Sequence, residues 1–460
     1  MKVLLLSTYE LGRQPFGLAS PAAWLRQHHY QVTTCDTAVE PIPYRAISEA
    51  DLIACYVPMH TATRLAIALL PEIKQLNPTA HLCFYGLYAP LNEVYLRKCG
   101  VNTILGGEFE EGLLRLCQRL EKAASNPSDE ISNFFQPEPV ISLNRQQFLK
   151  PDRNGLPPLS EYARLCRSGC QDKIVGYVEA TRGCKHHCRH CPIVPVYNGK
   201  FRVIQKAIVL ADIRQQVEAG AQHITFGDPD FFNGPGHTLP IVEQMHREFP
   251  GLTYDVTIKI EHLLRYRDKL PRLKETGCLL VTSAVESLDD RILYLLEKRH
   301  TREDFFRALT LLRQYDLALN PTFIPFTPWT TLQGYRDLLR SLCEWDLVDY
   351  VSPIQLAIRL LIPAGSRLLA LPEIRAVLGK FREEKLSFEW RNPDPLVEEL
   401  HIAVMEIVNN GLRAKQNSRE MVSAIWHRLN LLTGESLSLP PMPELPARAA
   451  IPYLNEPWYC

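Results

Sequence analysis

Three cysteines, Cys184, Cys188 and Cys191, fall within eight residues of the segment YVEATRGCKHHCRHCPIVPVY. A C-x3-C-x2-C triplet on one loop can close around a single metal centre without help from distant sequence. Three thiolates are one ligand short of the four that complete a structural zinc site or a fully ligated iron–sulfur cluster. Either a fourth ligand comes from elsewhere, or one metal position stays open to a substrate or cofactor. His186, His187 and His190 keep zinc on the table, although this spacing is not a usual zinc pattern. Of the 13 cysteines in the chain, most others (Cys35, Cys55, Cys83, Cys99, Cys117, Cys278, Cys343) sit in apolar contexts that suit small buried hydrophobes. Nothing resembles a secreted disulfide framework. Cys166 and Cys170, in CRSGC, are incidental thiols, a redox pair or a source of a fourth ligand, and the last residue is Cys460.

The elements that must position the triplet run over residues 173–365. Strand-like runs at 175–180, 224–227, 253–260, 278–284, 319–324 and 350–355 alternate with helical stretches, and Thr301-x-x-Asp304 has the form of a helix start. Six parallel units predict a partial (β/α) barrel, with its chemistry at the carboxyl ends of the strands. The cysteine loop follows the first strand and therefore belongs on that reactive face. Gly227, Asp228, Lys259, Glu261, Glu286 and Ser287 stand at later strand ends.

Residues 1–122 alternate short apolar runs and helical stretches in a second α/β pattern, which predicts a doubly wound, Rossmann-like parallel sheet. Ligands on such sheets sit beyond the carboxyl ends of the strands. Those ends carry Thr8 and Tyr9, Pro58, Met59, His60 and Thr61, Tyr85 and Gly86, and Gly106–Gly107. Gly106–Gly107–Glu108 before a helix is either a tight turn or a backbone N–H cradle for an anion. Residues 123–172 are rich in Pro, Asn, Ser and Asp and read as a linker, with Phe134, Phe135, Leu149 and Tyr162 as anchors. Residues 366–460 read as helices at 368–384, 396–410 and 420–432, then a Pro-rich tail.

Lys+Arg and Asp+Glu are equal at 51 each, so no basic field argues for nucleic-acid binding. No apolar stretch reaches the roughly 18 residues of a membrane span. A cytoplasmic location, with no nucleic-acid or membrane partner, is the expectation.

The triplet, with RGC before it and Pro192 after it, closely resembles the radical SAM signature. In that family three cysteines hold a 4Fe-4S cluster, and S-adenosylmethionine (SAM) chelates the fourth iron. Reductive cleavage of SAM then yields a 5′-deoxyadenosyl radical. The resemblance implies SAM contacts at His190 (where an aromatic residue is usual), at Gly227–Asp228, at Lys259 and Glu261, and at Glu286–Ser287 of SAVESLDD. It also implies a reductant such as flavodoxin or ferredoxin, and a small-molecule or otherwise unidentified substrate.

Residues 1–122, through DLIACYVPMHTATRLAIALLPEIKQLNPTAHLCFYGLYAP and GVNTILGGEFEEGLLRL, resemble the cobalamin-binding domain that precedes many radical SAM enzymes. The D-x-H-x-x-G motif of cobalt-ligating relatives is missing, so His60 is not expected to be a lower ligand. The tail is similar to that of the CUAEP/CCAEP-tail radical SAM (seleno)proteins. That likeness implies that Cys460 is a reactive tail residue, next to a selenocysteine codon read as a stop. The implied activity is radical SAM chemistry, with cobalamin-dependent methyl transfer to an unactivated carbon as one outcome. The alternatives are a cobalamin-independent enzyme whose first domain recruits substrate, and a non-catalytic iron–sulfur or zinc protein.

Overall fold

The computed structural model describes residues 1–125, 137–166, 171–442 and 453–454. Its first layer is a parallel sheet of β1 (Lys2–Ser7), β2 (Gln31–Asp36), β3 (Leu52–Tyr56), β4 (His81–Tyr85), β5 (Thr103–Gly107) and β6 (Ile141–Ser142), in the order β2-β1-β3-β4-β5-β6. The strands are apolar on both sides (VLLL, LIAC, HLCFY) because helices cover both faces. Leu5, Ala54, Cys83 and Tyr85 pack on one side, and Leu4, Leu6, Ile53 and Phe84 on the other. The doubly wound expectation holds for this region. One strand was not expected: Ile141–Ser142, inside the stretch read as linker, pairs with Gly106–Gly107.

The chain then enters a second sheet. A short strand β7 (Arg164–Cys166) runs antiparallel to β8 (Lys173–Val178). A side ribbon of β9 (Thr181–Gly183) and β10 (Phe201–Val203) brackets the cysteine loop. The parallel strands β11 (His223–Phe226), β12 (Thr253–Thr257), β13 (Cys278–Glu286) and β14 (Ala318–Phe323) complete the curved sheet, ordered β14-β13-β12-β11-β8-β7. Ile224, Phe226, Tyr254, Val256, Val281 and Leu319 alternate outward into the largest apolar core, which the helices cover. The partial barrel is as expected, but it has five parallel strands rather than six. Residues 350–355 instead form short 3-10 turns, Val348–Tyr350 and Pro353–Leu356. Pro353 has no N–H to donate to a ladder, and only an isolated bridge, Phe326 to Arg359, marks where a sixth strand would pair.

The C-terminal region differs from expectation at one place. The helix expected over 368–384 is instead a turn at Arg367–Ala370, a one-turn helix at Pro372–Arg375, and the hairpin of β15 (Leu378–Arg382) and β16 (Ser387–Trp390). Phe381 and Phe388 pair across it with ring centroids 5.1 Å apart, and Leu386 takes a left-handed φ of 48° at the reversal. Cross-strand aromatic packing outweighs helical propensity here. Helices Pro395–Arg413 and Ser418–Thr433 then close the barrel's side. A last pair of residues, β17 (Tyr453–Leu454), adds to β7. Among the described residues no helix is long and apolar enough to cross a membrane.

Candidate active site

The cysteine loop leaves the barrel at the end of β8, and its backbone is tied down from four directions. Lys185 N donates to Asn233 Oδ1 (3.2 Å), Arg189 N to Leu296 O (3.0 Å), Ser366 Oγ to Arg189 O (3.3 Å) and Arg367 Nη1 to His187 O (2.6 Å). Gly183 has φ +75°, and a side chain there would overlap the Tyr197 ring. Cys188 is buried, while Cys184 and Cys191 are half-buried. Burial pushes the Cys184 thiol up to about 11 and that of Cys191 to about 12. Such thiols stay protonated until a metal cation replaces the proton.

Beside the triplet, Glu286 ends β13 with φ +71° and accepts from His190 Nε2 (3.0 Å) and Lys298 Nζ (3.2 Å). Burial works against its charge, but Lys298 and His190 prevail and hold its carboxyl down at about 2. His190 and Glu286 are thus brought together as one unit. Lys298 and His300 were not anticipated from sequence. The only signal was the basic run KRH immediately before the Thr301 helix start, which is a true capping box with Asp304. His300 is buried, and both of its ring nitrogens lack a partner, as do His190 Nδ1 and Asn233 Nδ2. Burial first, then Lys298 and Lys259, lowers His300 to about 3, so it is neutral. Three open thiols ringed by polar atoms with unused hydrogen-bonding capacity fit a metal cluster and a polar, zwitterionic cofactor such as SAM.

Other expected contacts have different partners. Asp228 accepts from Ala180 N (3.0 Å) and Thr181 Oγ1 (2.5 Å), so its carboxylate fastens the turn that launches the cysteine loop. Burial raises it to about 7. Gly227 makes room for the Tyr177 hydroxyl. Ser287 Oγ accepts from Asp289 N (3.0 Å). Lys259 and Glu261 lie at the start of helix Ile260–Arg265 rather than on a strand, and pair with each other at 3.3 Å. Cys166 is buried on β7, whereas Cys170 and Cys460 lie outside the described residues.

The strand ends of the first domain are occupied by the chain itself. Thr8 Oγ1 donates to Ala62 O (2.8 Å), and Tyr85, fully buried, donates to Gly17 O (2.8 Å). His60 Nε2 meets Lys385 O at 2.6 Å. Of the two readings of Gly106–Gly107–Glu108, the contacts favour the tight turn: Gly106 N donates to Val140 O and Glu108 N to Ser142 O. A side chain at Gly106 would overlap Pro90, so these glycines serve close packing. Tyr9 is buried, Pro58 and Thr61 are half-buried, and Gly86 N donates to Leu105 O. Met59 packs with Tyr88, Leu91, Val196 and Tyr197 in an apolar cluster that joins the two domains. Beside it, Arg182 pairs with Glu108, Glu110 and Glu179.

Residues 178–340, which carry the cysteine loop and the curved sheet, match the Radical SAM superfamily. By fold, the particular likeness is to cobalamin-dependent radical SAM enzymes. The chain superimposes on OxsB with aqua-cobalamin bound (TM-score 0.69, 14% identity, 94% of this chain and 71% of that one). It also superimposes on the methyltransferase TsrM from Kitasatospora setae (TM-score 0.55, 17% identity, 75% of this chain and 70% of that one). In sequence it is 25% identical to the hopanoid C-3 methylase of Methylococcus capsulatus over 234 residues, 50% of this chain. It spans 43% of that methylase's length.

Proposed function

We propose that this chain is a radical SAM enzyme that holds a 4Fe-4S cluster on Cys184, Cys188 and Cys191 and cleaves SAM reductively. The observation that carries the reading is the open triplet at a barrel strand end, ringed by buried polar atoms without partners. When bound, the reduced cluster and SAM supply radical hydrogen-abstraction chemistry. The chain's own part is positional. The tethered loop fixes the three thiols, the His190–Glu286–Lys298 unit presents one face of polar contacts, and the Arg182 cluster seals the domain junction against water. Anaerobic reconstitution followed by a 5′-deoxyadenosine assay tests this. Cleavage is expected with the wild type and none with Cys184→Ala, Cys188→Ala or Cys191→Ala; retained cleavage in those variants overturns the assignment, and loss of all cleavage in the wild type leaves a non-catalytic metal protein.

A second reading concerns cobalamin. Likeness in fold to OxsB and TsrM, and the name of the hopanoid methylase, support cobalamin-dependent methyl transfer to an unactivated carbon. The occupied strand ends favour instead a first domain that orients or recruits substrate without a corrinoid. A corrinoid absorbance spectrum after reconstitution with cobalamin separates the two: corrinoid bands carry the methyl-transfer reading, and their absence carries the substrate-recruiting one.

A further inference from the structure

We propose that His186, Asp230 and His262 form a second, mononuclear metal site for a divalent transition-metal ion, distinct from the three thiols of the neighbouring loop. His186 Nε2 lies 3.1 Å, and His262 Nδ1 2.7 Å, from the same atom, Asp230 Oδ2. All three residues are buried, and their ligand atoms lie within 4.8 Å of one another. Ligands about 2.1 Å from one tetrahedral ion stand about 3.4 Å apart. Small outward turns of the two rings therefore admit an ion.

Three separate carboxyl-end segments deliver these side chains, as in other barrel sites. His186 comes from the loop after β8, Asp230 from the turn after β11, and His262 from helix Ile260–Arg265 after β12. Asp230 is fixed by its other oxygen, which accepts from Phe232 N (3.1 Å). His262 is itself buried, and its Nδ1 closes on the same oxygen that His186 Nε2 approaches, so both imidazoles converge on one side of one carboxylate. Without metal, each imidazole can donate an N–H to the shared oxygen; a bound ion would replace those two protons and take the same three atoms as ligands. On its far side His186 Nδ1 faces Glu261 Oε2 at 3.5 Å, and Lys259 in turn pairs with Glu261. A carboxylate behind the non-ligating nitrogen is how metal-bound histidines are oriented.

Two imidazoles and one carboxylate suit Zn²⁺, Fe²⁺ or Co²⁺, whereas Ca²⁺ and Mg²⁺ take oxygen ligands. Three protein ligands leave at least one coordination position open.

Cobalt titration of the full-length chain carrying Cys184→Ala, Cys188→Ala and Cys191→Ala tests the site without cluster or thiolate ligands. One Co²⁺ per chain is expected, with visible ligand-field bands and no sulfur charge-transfer band. His262→Ala or Asp230→Asn in that background should weaken binding by at least about tenfold, using circular dichroism to check folding. Should the triple variant not fold, the reconstituted wild type provides the readout. One metal ion beyond the iron matched to labile sulfide is expected, lost in His262→Ala with sulfide unchanged. Absence of Co²⁺ uptake in folded protein, or uptake indifferent to His262→Ala and Asp230→Asn, overturns the proposal. So does a wild type with no metal beyond the cluster iron. None of these readouts depends on SAM cleavage.

Discussion

Arg182 grips Glu110 with both prongs: Nη2 to Oε1 at 2.7 Å and Nη1 to Oε2 at 3.0 Å, with neither side chain more than 6% exposed. Glu110 opens the last helix of the first sheet's domain, and Arg182 stands two residues before Cys184. The guanidinium also lies over the rings of Phe16, Phe109 and Phe148, at 5.5, 4.9 and 5.1 Å from their centroids. The domain junction and the loop that carries the thiols therefore share one buried charge.

Removing that charge strands three carboxylates. Arg182→Ala should destabilise the chain by about 3–5 kcal/mol, the usual cost of breaking a buried pair from one side. Glu110→Gln combined with Arg182→Met should recover part of the loss, since packing among the three phenyl rings is kept. Urea unfolding of the single and double variants measures both. An Arg182→Ala variant as stable as wild type would show that the junction does not rest on this contact.

Glu108 should make stability depend on pH. Burial, and then the neighbouring Glu110, outweigh Arg182 and raise its carboxyl to about 7. Its folded pKa therefore lies above its unfolded value, so its contribution is fully present below about pH 4.3 and is lost as pH rises through about 7. Relative to Glu108→Gln, the wild type should lose up to about 3 kcal/mol across that window. Denaturant midpoints at pH 5 and pH 8 for the two proteins check this; parallel profiles would refute it.

Lys298 is expected to be needed for both stability and cofactor binding. Lys298→Met leaves Glu286 buried without its cation, with a stability cost on the order of 3 kcal/mol. His190 then loses its fixed acceptor geometry. SAM affinity of the cluster-loaded protein, read by equilibrium dialysis, should fall by at least about tenfold, the effect of losing one charge-assisted contact. Unchanged affinity would remove the His190–Glu286–Lys298 unit from the cofactor site.

Gly107→Ala tests the packing role of the glycine pair. Its φ of +73° is left-handed, and a methyl group there would overlap Ser142 O on β6. A loss of about 1–2 kcal/mol from conformation alone is expected, more if β6 detaches. Glycines held for anion binding would instead show little stability change with lowered ligand affinity.

The sequence by itself determined the parts that depend on local order along the chain. The C-x3-C-x2-C spacing, the loop's place after a strand, the two α/β alternations and the Thr301 helix start are all short-range patterns, and all are present in the fold. Tertiary structure decided the rest because it depends on side chains far apart in sequence. Whether 378–390 formed a hairpin rather than continuing a helix depended on Phe381 and Phe388 facing each other across it. Gly106 and Gly107 were spent on packing against Pro90 and Ser142 rather than on an anion. Asp230 and His262, 32 residues apart, became neighbours of His186 only through the curl of the barrel. Lys298 reached Glu286 through the reversal at Glu297 and Arg299, whose φ values of 58° and 57° no spacing rule foretells. Periodicity fixes which way a strand or helix faces, but the partner each polar group finds is set by sheet curvature and by the competition for buried hydrogen bonds.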